Sequence, residues 1–344
     1  MINLRKFLAR RRRPSGEDYA RRIENEQSFY ADCEDVHDLP PIFHYWADKY
    51  IRPKQEPFGF SSPSDFFVHF ALRQCRQGAP GFTRMASLGA GNCDLEATLA
   101  RQLVDAGQRN FTIQCVDINE NMLERGRQRA AELQVEEWLA PTRGDFNHWR
   151  PDDRYDVIIA NQALHHVLEL EDLFGVIRQR LAPGGVFLTS DVIGRNGHRR
   201  WPEARAALEP FWAELPPHYR YNQLMRRMEP ELFDHDCSTE GFEGIRAQDI
   251  LPLLVKTFHF ELFIPYANIV LSFIDRPFGH NYDADAEWDR DFIDRVHARD
   301  EEGMLSGELK PTQMIAVLRN EEVETGLVHP RLTPEFCIRW PEQQ

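Results

Sequence analysis

Between Met85 and Leu318, short apolar runs alternate with stretches whose large aliphatic residues recur at helical spacing. Few architectures accept that rhythm. Met85 to Leu88 is a compact apolar run that ends in glycines, and Leu95, Leu99 and Leu103 then fall on one helical face. Phe111, Ile113 and Cys115 alternate toward Asp117, and a helix is predicted from about Asn121 to Leu133. Tyr155 to Ala160 is apolar apart from Asp156, as in a strand buried on both faces. Leu170, Leu173, Phe174 and Ile177 give the next helix, Pro183-Gly184-Gly185 stops it, and Val186 to Ser190 is a strand. Strands alternating with helices predict an α/β chain with a doubly wound, mostly parallel sheet.

The flanks break the rhythm. Residues 1–16 read as a basic flexible tail, and 17–80 as an aromatic-rich helical segment broken by Pro40-Pro41, Pro53, Pro57 and Pro63. The α/β unit runs over 81–319, with polar insertions at about 194–246 and 275–311. Within it, Asp249 to Thr257 is a helix, and His259 to Ile264 and Gln313 to Leu318 are strands. Residues 320–344 are polar and predicted to be peripheral. The insertions and the N-terminal helices are expected to form a lid.

Ligands of open parallel sheets bind beyond the carboxyl ends of the strands. The first strand here ends in Gly89-Ala90-Gly91-Asn92, where glycines allow close backbone approach and a helix N-terminus offers N–H groups. A dinucleotide site wants a small residue at the place of Asp94. Asp94 and Glu96 in the first helical turn would repel a pyrophosphate. Asp117, followed by Ile118 at the end of the second strand, suits two ribose hydroxyls; the competing reading is a cap for the helix near Asn121. Asp145 could accept from an adenine amino group with Phe146 against the ring, or be a turn aspartate beside a core phenylalanine. Asn161 and Gln162, just past the buried strand, lie close to where the ligand would be, or simply cap a strand end.

Charge narrows the partners. The chain has 41 basic and 55 acidic residues, a net charge of -14. Six of the basic groups lie in residues 1–13, so the remainder carries 35 against 55, or -20. Such a body repels phosphate backbones and speaks against nucleic acid. The N-terminal arginine run reads first as a solvated tail, and second as a weak contact for an anionic surface. No run of eighteen apolar residues predicts a membrane span, and residues 1–14 lack the apolar core of a secretory signal. Six scattered cysteines without a C-x-x-C pair read as reduced thiols in a cytoplasmic protein.

The order Leu88-Gly89-Ala90-Gly91, Val116-Asp117-Ile118, Gly144-Asp145-Phe146, Tyr155-Asp156-Val157-Ile158 with Leu164-His165-His166-Val167, and Leu181-Ala182-Pro183-Gly184-Gly185 resembles the class I S-adenosylmethionine (SAM)-dependent methyltransferases. The motif likeness covers roughly 84–192, and the later rhythm extends it to about 319. Val36-His37-Asp38-Leu39-Pro40 and Thr239-Glu240-Gly241-Phe242-Glu243-Gly244 also resemble a bacterial group within that family, which brings no substrate with it. The resemblance implies a Rossmann-like seven-stranded sheet whose last strand is antiparallel, with SAM as methyl donor. SAM carries no phosphate, so Asp94 and Glu96 are acceptable beside it. The family usually has an acid where Ser87 stands and a glycine where Cys93 stands. Both departures bear on how the methionine portion is held. The Asn-Pro-Pro-aromatic motif of DNA amino methyltransferases is absent after Asn161, and no C-x3-C-x2-C cluster supports radical chemistry.

Methyl transfer from a sulfonium is an in-line displacement, and a hydroxyl nucleophile also needs a base. His165 and His166 follow the fourth strand and are the candidate catalytic groups. Their competing role is helix-entry packing and contact with SAM. Other polar residues gather in the insertions: His198, Tyr219, Tyr221, Glu240, Glu243, Arg246, Arg276 and His297. Asp234-His235-Asp236, or His280 with Asp283, could ligate a cation, but no second ligand set accompanies either and no metal is expected. The acceptor is expected to be a small molecule, sugar or other glycan, or lipid head group, methylated at oxygen. The alternatives are an N- or C-methyltransferase on a small molecule or peptide, a non-catalytic SAM-binding module, and a dehydrogenase.

Overall fold

The computed structural model describes residues 16–31, 39–78, 81–239 and 241–340. The arginine run at 10–13 and Glu240 therefore lie outside the described residues. Five parallel strands come first: β1 (Thr83–Leu88), β2 (Phe111–Asp117), β3 (Leu139–Arg143), β4 (Tyr155–Asn161) and β5 (Leu181–Val192). A small hairpin, β6 (Tyr221–Asn222) and β7 (Arg227–Met228), stands apart. β8 (His259–Tyr266), β9 (Gln313–Arg319) and β10 (Gly326–Leu327) complete the main sheet, in the order β10-β8-β9-β5-β4-β1-β2-β3. β9 pairs antiparallel with both β5 and β8, as the resemblance implied.

Among the described residues the sheet has eight strands, not seven. The extra strand is β10, whose two residues pair parallel to Leu262 and Phe263 of β8. The segment after 320 is accordingly not peripheral: Leu332, Cys337 and Ile338 are buried in the main core. A two-residue strand is too short to show an alternation, and the polar residues around it mask the three that anchor the tail.

Alternate residues of the central strands feed two separate cores, as a pleated strand requires. Ala86, Leu88, Ile158 and Ala160 face the helices Leu170–Arg180 and Ala247–Thr257. Met85, Val157, Ile159 and Leu188 face the helices Pro63–Gln77 and Asp94–Asp105. The first of this second pair was expected in a lid, yet it is a layer of the sandwich. Ser62 caps it by accepting from Asp65 N at 3.1 Å, Pro63 starts it, and Phe66, Phe67 and Phe70 then fall on one buried stripe. Burying side chains of this size is worth about 2–3 kcal/mol each, so this helix holds to the sheet.

A third core joins three distant stretches. Ile42 and Trp46 pack with Leu208 and Trp212 of the first insertion and with Phe292 and Val296 of the second. Asp300, fully buried, fastens this cap to the turn after β8 by accepting from the N–H groups of Asn268, Ile269 and Val270. Burial pushes its carboxyl up to about 6.

Candidate functional site

The chain leaves β1 outward to β2 and β3, then returns to place β4 on the other side of β1. The reversal opens a crevice beyond the carboxyl ends of β1 and β4, the usual place for a ligand in this architecture. The Gly89 loop lines one wall and the turn after Asn161 the other.

Gly89 has φ 71° and Gly91 φ 53°, both in the left-handed region. A Cβ on Gly89 would lie 2.7 Å from Cβ of Ala163 and 3.4 Å from Cε1 of Phe146. The loop therefore reaches the opposite wall only because that atom is missing. Gly89 N and Ala90 N donate to the Val116 carbonyl at 2.9 and 3.1 Å. Gly91 N donates to Oδ2 of Asp117 at 2.8 Å, and Asn119 N donates to its Oδ1 at 2.8 Å. The helix cap that competed for Asp117 is Asn119, whose side chain accepts from Asn121 N and Met122 N. Asp117 is buried, and burial raises its carboxyl above the usual range against those N–H donors. Asn92 accepts from Nε of Arg125 at 2.9 Å, and Ile118 continues the chain from Asp117 into the Asn119 cap.

Cys93 explains why glycine is common at its position. Its φ is 55°, and its Sγ would lie 2.7 Å from a Cβ on Gly126. The thiol fills the space that a bare Gly126 leaves. Ser87 is explained from the other side: its hydroxyl donates to Oε1 of Glu96 at 2.5 Å. Glu96 therefore does not line the helix entrance; it sits buried beneath the loop.

Burial raises the Glu96 carboxyl to about 7, the Ser87 hydroxyl pulling the other way. The folded state thus holds a proton that the unfolded chain releases near its ordinary value of 4.5. Stability is greatest below that value and falls as pH rises through about 7. Glu96→Gln keeps an acceptor for Ser87 and removes the titration. Between pH 5 and pH 8 its unfolding free energy, read from urea curves, is expected to gain roughly 2–3 kcal/mol on the parent. Parallel pH profiles for the two proteins would contradict this.

Asp145 makes the bonds of a turn residue. Its Oδ1 accepts from Asn147 N at 2.9 Å, and its Oδ2 accepts from the Tyr19 hydroxyl at 2.6 Å and meets Nδ1 of His148 at 2.8 Å. Tyr19 belongs to the helix Gly16–Ala31, and Arg22 of the same helix donates to the carbonyls of Ser238 and Gly241. That helix bridges the Asp145 turn to the first insertion. Phe146 rests against Gly89. Gln162 adopts φ 49° and donates to the Ser190 carbonyl through its backbone, at 2.8 Å, and its side chain. Asn161 ends β4, paired with Ser190.

His165 and His166 sit in a short turn, Leu164–His166. Asp191 of β5, fully buried, organises that turn. Its Oδ2 accepts from Ala163 N at 2.9 Å and Leu164 N at 2.7 Å, and its Oδ1 accepts from Nδ1 of His165 at 2.7 Å. Nε2 of His165 faces Oε1 of Glu243 at 3.4 Å, Nε2 of His166 faces Oε2 of the same residue at 3.4 Å, and Nε2 of His198 contacts Oε1. Burial alone would lower the His165 imidazole, but the Asp191 charge overrides it and lifts it to about 10. Burial would raise Glu243, and the hydrogen bonds from His165 and His198 instead hold it far below the carboxylate range. Asp191 belongs to no motif; its one signal in sequence is a carboxylate at the end of a buried strand. Among the described residues, the carboxylates of the two ligand sets weighed from the sequence have other partners. Asp234 accepts from Arg200 N, Asp236 pairs with Arg199 and Ser238, and Asp283 donates its N–H to Asp289.

Among the described residues no helix is long and apolar enough to cross a membrane. Residues 86–187 match the model of a methyltransferase domain family. Trans-aconitate 2-methyltransferase of Mycobacterium tuberculosis (strain ATCC 25177 / H37Ra) is 31% identical over 109 residues, 32% of this chain and 37% of that protein. The same protein of Mycobacterium bovis (strain BCG / Tokyo 172 / ATCC 35737 / TMC 1019) matches to the same extent. The chain thus spans 37% of the length of these curated relatives. Among solved structures, a putative sarcosine dimethylglycine methyltransferase from Galdieria sulphuraria is similar at 15% identity and TM-score 0.46, over 87% of this chain and 99% of that one. A SAM-dependent methyltransferase from Thiobacillus denitrificans, in complex with S-adenosyl-L-homocysteine, is similar at 15% identity and TM-score 0.42, over 83% and 100%. Residues 86–187, which hold the glycine loop at the switch point of the sheet, are thus a methyltransferase domain.

Proposed function

We propose that this chain transfers the methyl group of SAM to an oxygen of a small molecule. The observation that carries the reading is the buried Asp117 carboxylate joined to Gly91 at the crevice between β1 and β4. A carboxylate there can accept from ribose hydroxyls, and the missing Cβ of Gly89 leaves the loop close enough to cradle a ligand. The donor has no pyrophosphate, which suits a helix entrance carrying Asp94. Glu96, through Ser87, supplies the acid under the loop that the family usually carries on the strand itself. Phe146 and Asp145 line the adenine end, with Tyr19 over them. Asn161 and Gln162 border the opposite wall.

SAM, when bound, supplies the activated methyl group; the chain's own groups hold and orient the acceptor. His165 is a positioning residue, because both its ring nitrogens face carboxylates. His166, the more exposed of the pair, takes the proton of a hydroxyl acceptor. The cap built from 41–51 and the two insertions acts as the lid. The name of the curated relatives, trans-aconitate 2-methyltransferase, supports a small carboxylate-bearing acceptor.

Calorimetry with S-adenosylhomocysteine tests the cofactor. The parent is expected to bind it, and Asp117→Ala to bind about 30–100-fold more weakly, as loss of hydrogen bonds to a charged group worth about 2–3 kcal/mol requires. Absence of binding, or binding indifferent to that substitution, would remove the reading, and NADH binding in its place would favour a dehydrogenase. A labelled-methyl screen of small hydroxy and carboxylic acids then identifies the acceptor.

A further inference from the structure

Three ligand-type side chains from separate parts of the chain meet beside the crevice. One ligand atom from each of His165, His198 and Glu243 lies within 4.8 Å of the other two, and Nε2 of both histidines faces Oε1 of Glu243. His198 and Glu243 are 45 residues apart in sequence. We propose that these three residues bind a divalent transition-metal ion, zinc in the first instance.

The backbone is built to bring them together. Gly197 N donates to the Gly244 carbonyl at 2.8 Å, so the residues next to His198 and Glu243 are stitched directly. Both glycines have positive φ, 66° and 63°, and a Cβ on Gly244 would lie 3.0 Å from Gly197 N. His198 itself adopts φ 55°, a conformation that costs a non-glycine residue about 1–2 kcal/mol. Ile245 N donates to the His165 carbonyl at 3.1 Å and ties the third ligand's turn to the same crossing. Strain of this kind persists where surrounding contacts fix a geometry, and here it aims an imidazole at a carboxylate.

The chemistry of the set fits the ion. His165 donates Nδ1–H to the buried Asp191, so the ion displaces the proton from Nε2, which is the ligating atom. A carboxylate behind a ligating histidine is the usual second layer of a zinc site. Metal–ligand bonds of about 2.1 Å put tetrahedral ligand atoms about 3.4 Å apart. His165 Nε2 and Glu243 Oε1 already stand 3.4 Å apart. Two imidazoles and one carboxylate select a transition metal over magnesium or calcium and leave a coordination position open. On the methyl-transfer reading, that position takes an acceptor oxygen; binding of the ion does not depend on that reading. The sequence led to an expectation of no metal, with Asp234-His235-Asp236 and His280 with Asp283 as the less favoured ligand sets, and gave no sign of this site.

The test uses the full chain, stripped with chelator and titrated with Zn²⁺ and with Co²⁺, by calorimetry and by the visible spectrum of bound cobalt. One equivalent at micromolar affinity or tighter is expected, with a cobalt spectrum of low coordination number. His198→Ala and Glu243→Gln are each expected to weaken binding at least about 100-fold, and Asp191→Asn about 10–100-fold. Circular dichroism verifies that each variant is folded, and S-adenosylhomocysteine affinity verifies it again for His198→Ala and Glu243→Gln. Sub-stoichiometric uptake by the parent, or uptake unchanged in the folded His198→Ala and Glu243→Gln proteins, would overturn the assignment and leave an ion-pair network. Metal uptake without S-adenosylhomocysteine binding would instead count against the cofactor reading, while the reverse outcome sinks the metal site alone.

Discussion

Gly89→Val is expected to weaken S-adenosylhomocysteine binding by more than about 100-fold and to destabilise the fold by about 3–4 kcal/mol. Two costs combine. The residue sits at φ 71°, where an L side chain loses about 1–2 kcal/mol. Its Cβ would also stand 2.7 Å from Cβ of Ala163, and the two further methyls of valine have Phe146 beside them. Overpacking of that kind costs about 1–3 kcal/mol, relieved only by moving the β4 turn away from the loop. That movement is what links stability to binding, because it shifts the walls of the crevice. Gly107→Ala is the control: Gly107 has φ 83° but nothing within 4 Å of its missing Cβ. It is expected to lose about 1 kcal/mol from backbone strain and nothing in ligand affinity. Urea unfolding and calorimetry on both variants make the comparison. Equal ligand affinities would show that the approach of Gly89 to Ala163 plays no part in the site.

The contrast between these two glycines also shows what was legible in the chain and what was not. A central strand is buried on both faces, so Val157 to Ala160 had to be a continuous apolar run, and it lies in β4. The glycine loop and Asp117 are local features next to strand ends, and local features survive in sequence. Features made by distant residues do not. Gly197 and Gly244 look like ordinary loop glycines until their backbones are seen to meet. Glu96 reads as a charge at a helix entrance, yet the helix Asp94–Asp105 turns it under the loop toward Ser87. Phe66, Phe67 and Phe70 announce a buried helix without saying against what, and the sheet claims it ahead of the cap. Asp145 has a local turn to make, and Tyr19, 126 residues away, completes its bonding. His165 and His166 were prominent as a pair, but what each can do is set by Asp191 and Glu243, which no motif joins to them.

A large stability effect is also expected at Asp191. Its carboxylate is fully buried and accepts from Ala163 N, Leu164 N, Val192 N and Nδ1 of His165. Replacing it with alanine leaves two of those N–H groups, at the start of the His165 turn, without a partner inside the protein. Each stranded buried donor costs about 1–3 kcal/mol, and a charged acceptor is lost at once. Asp191→Ala is therefore expected to destabilise the protein by about 3–5 kcal/mol, which for a chain of this length lowers Tm by roughly 5 °C. Asp191→Asn keeps one acceptor oxygen and is expected to lose about half as much, so the pair separates the hydrogen bonds from the charge. The turn it holds includes Ala163, the residue against which Gly89 closes. A loosened turn widens the crevice, and S-adenosylhomocysteine affinity is expected to fall with stability in the order parent, Asn, Ala. Urea unfolding with ligand titration on the same preparations checks both effects. An alanine variant within about 1 kcal/mol of the parent would mean that the β4 turn is held by its packing, with Leu164 and Val167 in the core, rather than by the carboxylate behind it.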